Sequence, residues 1–285
     1  MNLLEETKFI LKKYGIRADK SLGQNFLINE DVVNSIVNSS NINKEDLIIE
    51  IGPGLGTLTS FLLEKAGKVI AVELDKRMIE ILTDRFKLYN NFELINDDIL
   101  KVNLNEVIGK NLNETIKNVK IVANLPYYIT TPIIMKLLEE NLKIDSITVM
   151  VQKEVADRLA AIPGEKNAGA ITYSVYYYAE ANKVIDVNRN SFIPEPNVDS
   201  EVINLKVRAN SPVEVENKEL LFKLIKYAFM QRRKTFANAI ENSGIFKNKE
   251  EILNILNELN INEKIRGEAI SLDQFAQITN LVKKK

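Results

Sequence analysis

Hydrophobic and polar positions along the chain follow two rhythms, one before residue 208 and another after it. From Leu47 to Val151, short apolar runs of strand length alternate with longer amphipathic stretches. Leu47–Ile51, Lys68–Leu74, Phe92–Asn96, Val119–Asn124 and Ile144–Val151 read as strands, the first of them an unbroken apolar run of the kind buried on both faces. Thr57–Ala66, Lys76–Leu88, Pro132–Glu140 and Lys153–Ile162 read as helices. The third of these opens on a proline, whose missing N–H costs nothing at a helix start. Two helices precede this run, Leu3–Tyr14 and Asp31–Ser39, with Asn29 or Asp31 as cap and a turn-rich stretch from Lys20 to Leu27 between them. Two strands follow it, Asn182–Val187 and Glu201–Val207, around a Pro-rich turn. Such alternation predicts an open parallel α/β sheet. Past Arg208 only helices are expected, over Leu220–Asn242, Lys249–Leu259 and Ser271–Val282, and Ser211-Pro212 marks the change. The predicted organisation is an α/β domain over residues 1–208 and a small all-helical domain over 209–285.

Composition narrows the chemistry. A chain of 285 residues can bury one large core and one small one. It has no apolar run of membrane-spanning length, and its first ten residues mix acids and Lys with short apolar pieces, unlike a secretory signal. A cytoplasmic location with no membrane partner is the expectation. There is no Cys and no His. Thiolate nucleophiles, disulfides and Cys-based metal sites are thereby excluded, and the commonest general base and zinc ligand is missing. No metal is expected, and a reaction driven by an activated cosubstrate is favoured. The net charge of −1 argues against a general nucleic-acid binder, yet six basic residues stand between Lys218 and Lys234 against the single acid Glu219. Lys226, Arg232, Arg233 and Lys234 are the candidates for phosphate contact in this cluster. A solvated helix face is the alternative.

The first predicted strand runs straight into Gly52-Pro53-Gly54-Leu55-Gly56 and then a helix. Glycines there admit a ligand close to the backbone, and the helix start favours an anionic group. On its own the loop is equally a tight turn. Glu73, 21 residues after Gly52 at the end of the next strand, can accept from ribose hydroxyls. The spacing is G-x-G-x-G, and Thr57 stands where a dinucleotide fingerprint would place its last glycine. Asp98, or its neighbour Asp97, follows the third strand, where an adenine amine could be met; a turn or helix cap is the other reading.

At the end of the fourth strand stands Asn124-Leu125-Pro126-Tyr127. Pro126 breaks the strand and aims the Asn124 side chain and the Leu125 carbonyl into the cleft. An exocyclic aromatic amine attacks a methyl group poorly because its lone pair is delocalised into the ring. Two acceptors on its N–H hydrogens would counter this and stabilise developing positive charge. Tyr127 can stack on a flat base, and no strong base is needed, because the alkylated nitrogen loses its proton easily. Phe192, in a Pro-braced stretch, offers a second ring for a flipped base; alternatively it packs beneath its own loop.

Taken together, Leu22-Gly23-Gln24-Asn25-Phe26-Leu27, Glu50-Ile51-Gly52-Pro53-Gly54-Leu55-Gly56, Glu73-Leu74-Asp75, Asn124-Leu125-Pro126-Tyr127 and Phe192-x-Pro194-x-Pro196-x-Val198-x-Ser200 resemble the rRNA adenine dimethyltransferase family, over most of the chain. Gln231-Arg232-Arg233-Lys234-Thr235 resembles its bacterial small-subunit branch. The resemblance implies a Rossmann-like S-adenosylmethionine-dependent methyltransferase sheet with a helical C-terminal domain that binds rRNA. It implies dimethylation of two adjacent adenosines in a hairpin loop near the 3′ end of 16S rRNA within the 30S particle. By the family pattern Asn25, Leu27, Gly52, Gly54, Glu73, Asp98 and Asn124 contact S-adenosylmethionine, while Asn124, Leu125, Tyr127 and Phe192 handle the base. Asn167-Ala168-Gly169 departs from relatives that carry an aromatic before the glycine, which lessens that loop's expected part in RNA contact. Three other readings stand beside this one: a 23S rRNA methyltransferase of the macrolide-resistance type, a largely non-catalytic ribosome assembly factor, and a nicotinamide oxidoreductase, which the glycine spacing disfavours. A monomer is expected.

Overall fold

The computed structural model describes residues 2–19 and 22–282; Lys20 and Ser21, at the start of the turn-rich stretch, lie outside the described residues. The chain divides into two compact units. One takes the residues up to Ala156 together with Ala181–Val207, and the other takes Asp157–Glu180 with everything from Arg208 onward. The boundary at residue 207 falls where the helical rhythm begins, while the grouping of Asp157–Glu180 with the C-terminal helices is not foreshadowed by the sequence pattern.

The first unit opens with α1 (Leu3–Lys13), β1 (Phe26–Leu27) and α2 (Glu30–Ser39). The Asn29 side chain caps α2 by accepting from the N–H groups of Asp31 and Val32. There follow β2 (Asp46–Ile51), α3 (Thr57–Lys65), β3 (Lys68–Glu73), α4 (Lys76–Phe86), β4 (Phe92–Asn96), α5 (Leu104–Asn111), β5 (Asn118–Asn124), α6 (Thr130–Glu139), β6 (Ser146–Gln152) and α7 (Lys153–Ala160). Beyond α8 (Ala170–Tyr178) come β7 (Ala179–Val187), β8 (Phe192–Ile193) and β9 (Ser200–Val207). Seven strands form one sheet in the order β4-β3-β2-β5-β6-β9-β7. Parallel pairing joins β4 through β6, and β9 then pairs antiparallel with β6. The sheet is therefore mixed where an all-parallel one was expected. A parallel neighbour needs a crossover helix, and the Pro-rich link between β7 and β9 holds only a 3-10 turn and the two-residue β8.

Both faces of the central strands are covered, which explains their unbroken apolar runs. Ile48, Val69, Val122 and Met150 join a core built with Ile36, Leu62, Met78 and Phe86 from α2, α3 and α4. Their neighbours of opposite parity, Leu47, Ile49, Ile70, Ile121 and Val149, are fully buried as well. Asp46, at the base of β2, is also fully buried. It accepts from Lys120 Nζ at 2.7 Å, Asn118 Nδ2 at 3.0 Å and the Asn43 N–H at 2.8 Å.

The second unit continues with α9 (Lys218–Met230), α10 (Phe236–Ile240), α11 (Lys249–Glu258) and α12 (Leu272–Leu281). Tyr173 of α8 is buried at its centre, its ring 5.3 Å from those of Phe229 and Phe275. Its hydroxyl donates to the Ile270 carbonyl at 2.5 Å and accepts from the Gly164 N–H at 3.1 Å. The single helix expected over Leu220–Asn242 is broken at Gln231–Thr235. Thr235 is extended and bridges Arg266, and Phe236 donates its N–H to the Ile265 carbonyl at 2.7 Å while burying its ring. Arg232, Arg233 and Lys234 consequently stand in a turn, not on the helix.

Replacement of Asp46 by Ala would leave the Lys120 ammonium buried without its carboxylate, and the expected loss is about 3–5 kcal/mol of unfolding free energy. Urea denaturation reads this directly; an unchanged midpoint would show that Lys120 finds another partner.

Candidate active site

Strand order reverses beside β2: β3 and β4 lie on one side, β5 and β6 on the other. Loops leaving the carboxyl ends of β2 and β5 therefore part, and ligands of open α/β sheets bind in the crevice this creates. The crevice here is lined by the glycine loop, the ends of β3 and β5, and the segment Leu22–Leu27.

Gly52, Gly54 and Gly56 all take left-handed backbone, with φ of 65°, 58° and 83°. They serve different ends. A Cβ on Gly56 would stand 2.6 Å from the Phe86 ring, so that position is closed by the core, whereas a Cβ on Gly52 would meet nothing within 4 Å. Gly52 is thus the point of the loop where the backbone lies open. Glu73 Oε2 accepts the Gly54 N–H at 3.1 Å and Oε1 accepts the Asp75 N–H at 2.8 Å. This clasps the loop to β3 and keeps the carboxylate at the crevice wall. Burial pushes the Glu73 carboxyl up, and the two N–H bonds oppose that shift. Asp97 and Asp98 line the same crevice. Asp98 also caps its own turn, its Oδ1 accepting the Leu100 N–H at 3.0 Å.

At the end of β5, the Asn124 amide donates through Nδ2 to the Asn25 carbonyl at 3.3 Å. With its nitrogen so engaged, the amide offers Oδ1 as an acceptor. The Pro126 carbonyl is taken by the Ile129 N–H and the Thr130 hydroxyl. The Leu125 carbonyl accepts no hydrogen bond among the described residues. Its own N–H is fixed to the Met150 carbonyl at 3.1 Å. Two acceptors thus stand on consecutive residues of a turn tied to the sheet on one side and to the Leu22–Leu27 segment on the other. Tyr127 lines the crevice, with its hydroxyl 2.7 Å from Ser200 Oγ.

Asn25, Leu27, Gly52, Gly54, Glu73, Asp98, Asn124, Leu125, Pro126 and Tyr127 all come together in this crevice. Phe192 does not line it. It is 3% exposed, packs in the core of the first unit, and pairs with Leu27 where β8 meets β1 antiparallel. The basic residues fall outside the crevice, and Arg232 is committed within its own unit to Glu268 and the Ala168 carbonyl.

Several contributors escaped the sequence reading. Gln24 donates to Asp75 at 2.7 Å, and Arg77 holds the same carboxylate, which binds the Leu22–Leu27 segment to the start of α4. These bonds keep the Asp75 carboxyl low despite burial, which raises it. Leu74 and Ile99 give the crevice an apolar flank. Glu50, two residues before Gly52, is buried, with Oε2 unpartnered among the described residues. Burial pushes its carboxyl up to about 8, with the Glu73 charge adding to the shift. The motif containing Glu50 was visible in the sequence; the burial of one of its carboxyl oxygens without a partner was not.

A glycine loop at the switch point of a Rossmann-like sheet, an acid at the end of the next strand and two fixed oxygen acceptors at the same crevice suit a methyltransferase. Comparison with known proteins narrows the class. The family model for ribosomal RNA adenine dimethylase matches residues 15–284. The chain is 48% identical to the ribosomal RNA small subunit methyltransferase A of Clostridioides difficile, over 98% of this chain and 96% of that one. Among solved structures, a dimethyladenosine transferase from Plasmodium falciparum superposes with a TM-score of 0.74 at 29% identity, covering 89% of this chain and 95% of that one. The 23S rRNA methyltransferase ErmE shares the fold at a TM-score of 0.67 and 21% identity, covering 91% and 100%. The chain belongs to the ribosomal RNA adenine dimethylase family.

The Glu50 carboxyl keeps its proton to about pH 8 in the folded chain, against an ordinary value of 4.5. The folded state therefore binds more protons than the unfolded state between these values, and stability falls as pH rises through the window. Glu50→Gln should flatten that decline in urea denaturation at about pH 5 and pH 8; identical slopes for variant and parent would contradict the assignment.

Proposed function

We propose that the protein transfers methyl groups from S-adenosylmethionine to the exocyclic amines of two adjacent adenosines in the 3′-terminal hairpin loop of 16S rRNA, in the small ribosomal subunit. The reading includes a part in small-subunit biogenesis and action as a monomer in the cytoplasm. The observation that carries it is the Asn124 amide, turned by its bond to the Asn25 carbonyl so that Oδ1 and the Leu125 carbonyl both present acceptors at one crevice.

The residues fit the methyl donor. Gly52 leaves open space beside the loop, the Glu73 carboxylate stands at the crevice wall, and Leu74 and Ile99 supply an apolar flank for an adenine ring. Asn25, Leu27, Gly52, Gly54, Glu73, Asp98 and Asn124 would hold the donor, which when bound supplies an electrophilic methyl group on a sulfonium. Glu50 contributes a buried carboxyl under the loop.

Asn124 Oδ1 and the Leu125 carbonyl accept the two N–H hydrogens of the target amine. They draw its lone pair out of conjugation with the ring and stabilise positive charge as the nitrogen is alkylated. The proton then leaves from a strongly acidic nitrogen to an acceptor or to water, so a chain without histidine suffers no handicap. Pro126 fixes the turn, and Tyr127, its hydroxyl held by Ser200, gives its ring to one face of the base. Phe192 supports Leu27 through the β1–β8 pair, a role its burial favours over direct contact with the base. Arg233 and Lys234, exposed in their turn, and Lys226 on α9 offer phosphate contacts, with Arg232 shaping the turn they stand on.

Radiolabelled methyl transfer to small-subunit particles from a methylation-deficient strain, followed by mapping of the modified adenines, tests the whole reading. Label confined to large-subunit rRNA would favour a 23S enzyme instead. Asn124→Ala should lower kcat by about 10²–10³-fold; a parental kcat would remove the acceptor pair from the mechanism. Arg233→Ala with Lys234→Ala should weaken particle binding and reduce its salt dependence, with affinity for S-adenosylhomocysteine unchanged. Parental particle binding would exclude both residues from the RNA interface.

A further inference from the structure

We infer that Tyr128 forms a second nucleobase platform at the mouth of the active-site crevice, stacking on the base adjacent to the one being methylated. The inference rests on the RNA methylation proposed above. Three aromatic residues, Phe26, Tyr127 and Tyr128, line the crevice, and two are already committed. Phe26 is buried in the core, and the Tyr127 hydroxyl is bound to Ser200. Tyr128 alone among these three is open, at 57% exposure, and it lines the same crevice as Asn124 and Asn25.

Its position follows from the turn. The Ile129 N–H bonds to the Pro126 carbonyl at 3.2 Å, which puts Tyr127 and Tyr128 at the two central positions, where consecutive side chains diverge. One ring thus forms the crevice wall and the other its rim. The Tyr128 ring does not swing freely. Its Cδ1 and Cε1 atoms lie 3.4 and 3.5 Å from the place a Cβ would occupy on Gly23, which stands at φ 63°. Glycine there lets the Leu22–Leu27 segment back the ring along one edge while the rest of it stays exposed.

An exposed aromatic face can stack on a flat base. A nucleotide drawn out of its stack into a catalytic pocket leaves its neighbour with one bare face. A neutral ring at the rim covers that face without reading its sequence. The ring also lies next to the acceptors, as a nucleobase directly joined to the target requires.

Steady-state methylation of small-subunit particles by Tyr128→Ala, Tyr128→Leu and Tyr128→Phe, with S-adenosylhomocysteine affinity measured by calorimetry, tests the assignment. The Ala and Leu variants are expected to raise the KM for the particle by about 10-fold or more with donor-product affinity unchanged, and Phe is expected to match the parent. The Leu variant keeps apolar bulk against Gly23 and loses only the planar face, so it guards against misfolding of the Ala variant. A parental KM in both Ala and Leu variants would overturn the proposal. So would a loss of S-adenosylhomocysteine affinity in step with KM, which would make Tyr128 merely a prop for the Leu22–Leu27 segment. Failure of the parent protein to label the particle would instead remove the proposed function itself, a different outcome from a parent that labels and variants that match it.

Discussion

The reversal of strand order beside β2 is the constraint on which the rest of the molecule depends. Because β3 and β5 flank β2 and their chains depart in opposite directions, no element fills the space above its carboxyl end. The glycine loop leaves β2 at this point in left-handed backbone, and Gly52 keeps a side chain out of the space beside it. The Glu73 carboxylate then ties the Gly54 N–H to β3, so the open loop is held in a single shape. Everything chemical in the first unit is arranged around that opening.

β2 carries a buried acid near each end, and their contrast separates stability from chemistry. Asp46, at the base, is met by an ammonium, an amide and a backbone N–H, so its charge is compensated within the protein. Glu50, at the crevice end, has an unpartnered oxygen and a carboxyl pushed up to about 8 by burial. The same residue chemistry on one strand thus supports the fold at one end and is left unsatisfied at the other. Unsatisfied polar groups of this kind gather where a ligand completes them.

In the proposed reaction the acceptor pair meets a weak chemical demand without a strong base. An aromatic amine needs its two hydrogens held more than it needs them removed, and consecutive residues of a rigid turn provide two oxygens for that. Rigidity comes from three directions: the Leu125 N–H on β6, the Pro126 carbonyl on the start of α6, and the Asn124 amide on the Asn25 carbonyl. The last of these joins the acceptors to the segment that also borders the glycine loop. In the proposed reaction one network would therefore set the geometry at both the amine and the methyl donor.

Period and motif in the sequence determined the alternating strands and helices, the glycine loop, Glu73, and the Asn124–Tyr127 turn. Those features are local: a run of apolar residues buries both faces, a glycine admits left-handed backbone, and a proline stops a strand wherever they occur. Tertiary structure decided what depended on partners distant in the chain. It set β9 antiparallel, because the link before it holds no crossover helix. It broke the expected long helix at Gln231–Thr235, where Thr235 bridges Arg266 and Phe236 turns into the core. It buried Phe192 against Leu27, left Tyr128 at the rim, and oriented the Asn124 amide through a carbonyl 99 residues away. No local propensity encodes these outcomes, since each is settled by contacts that exist only once the sheet has formed.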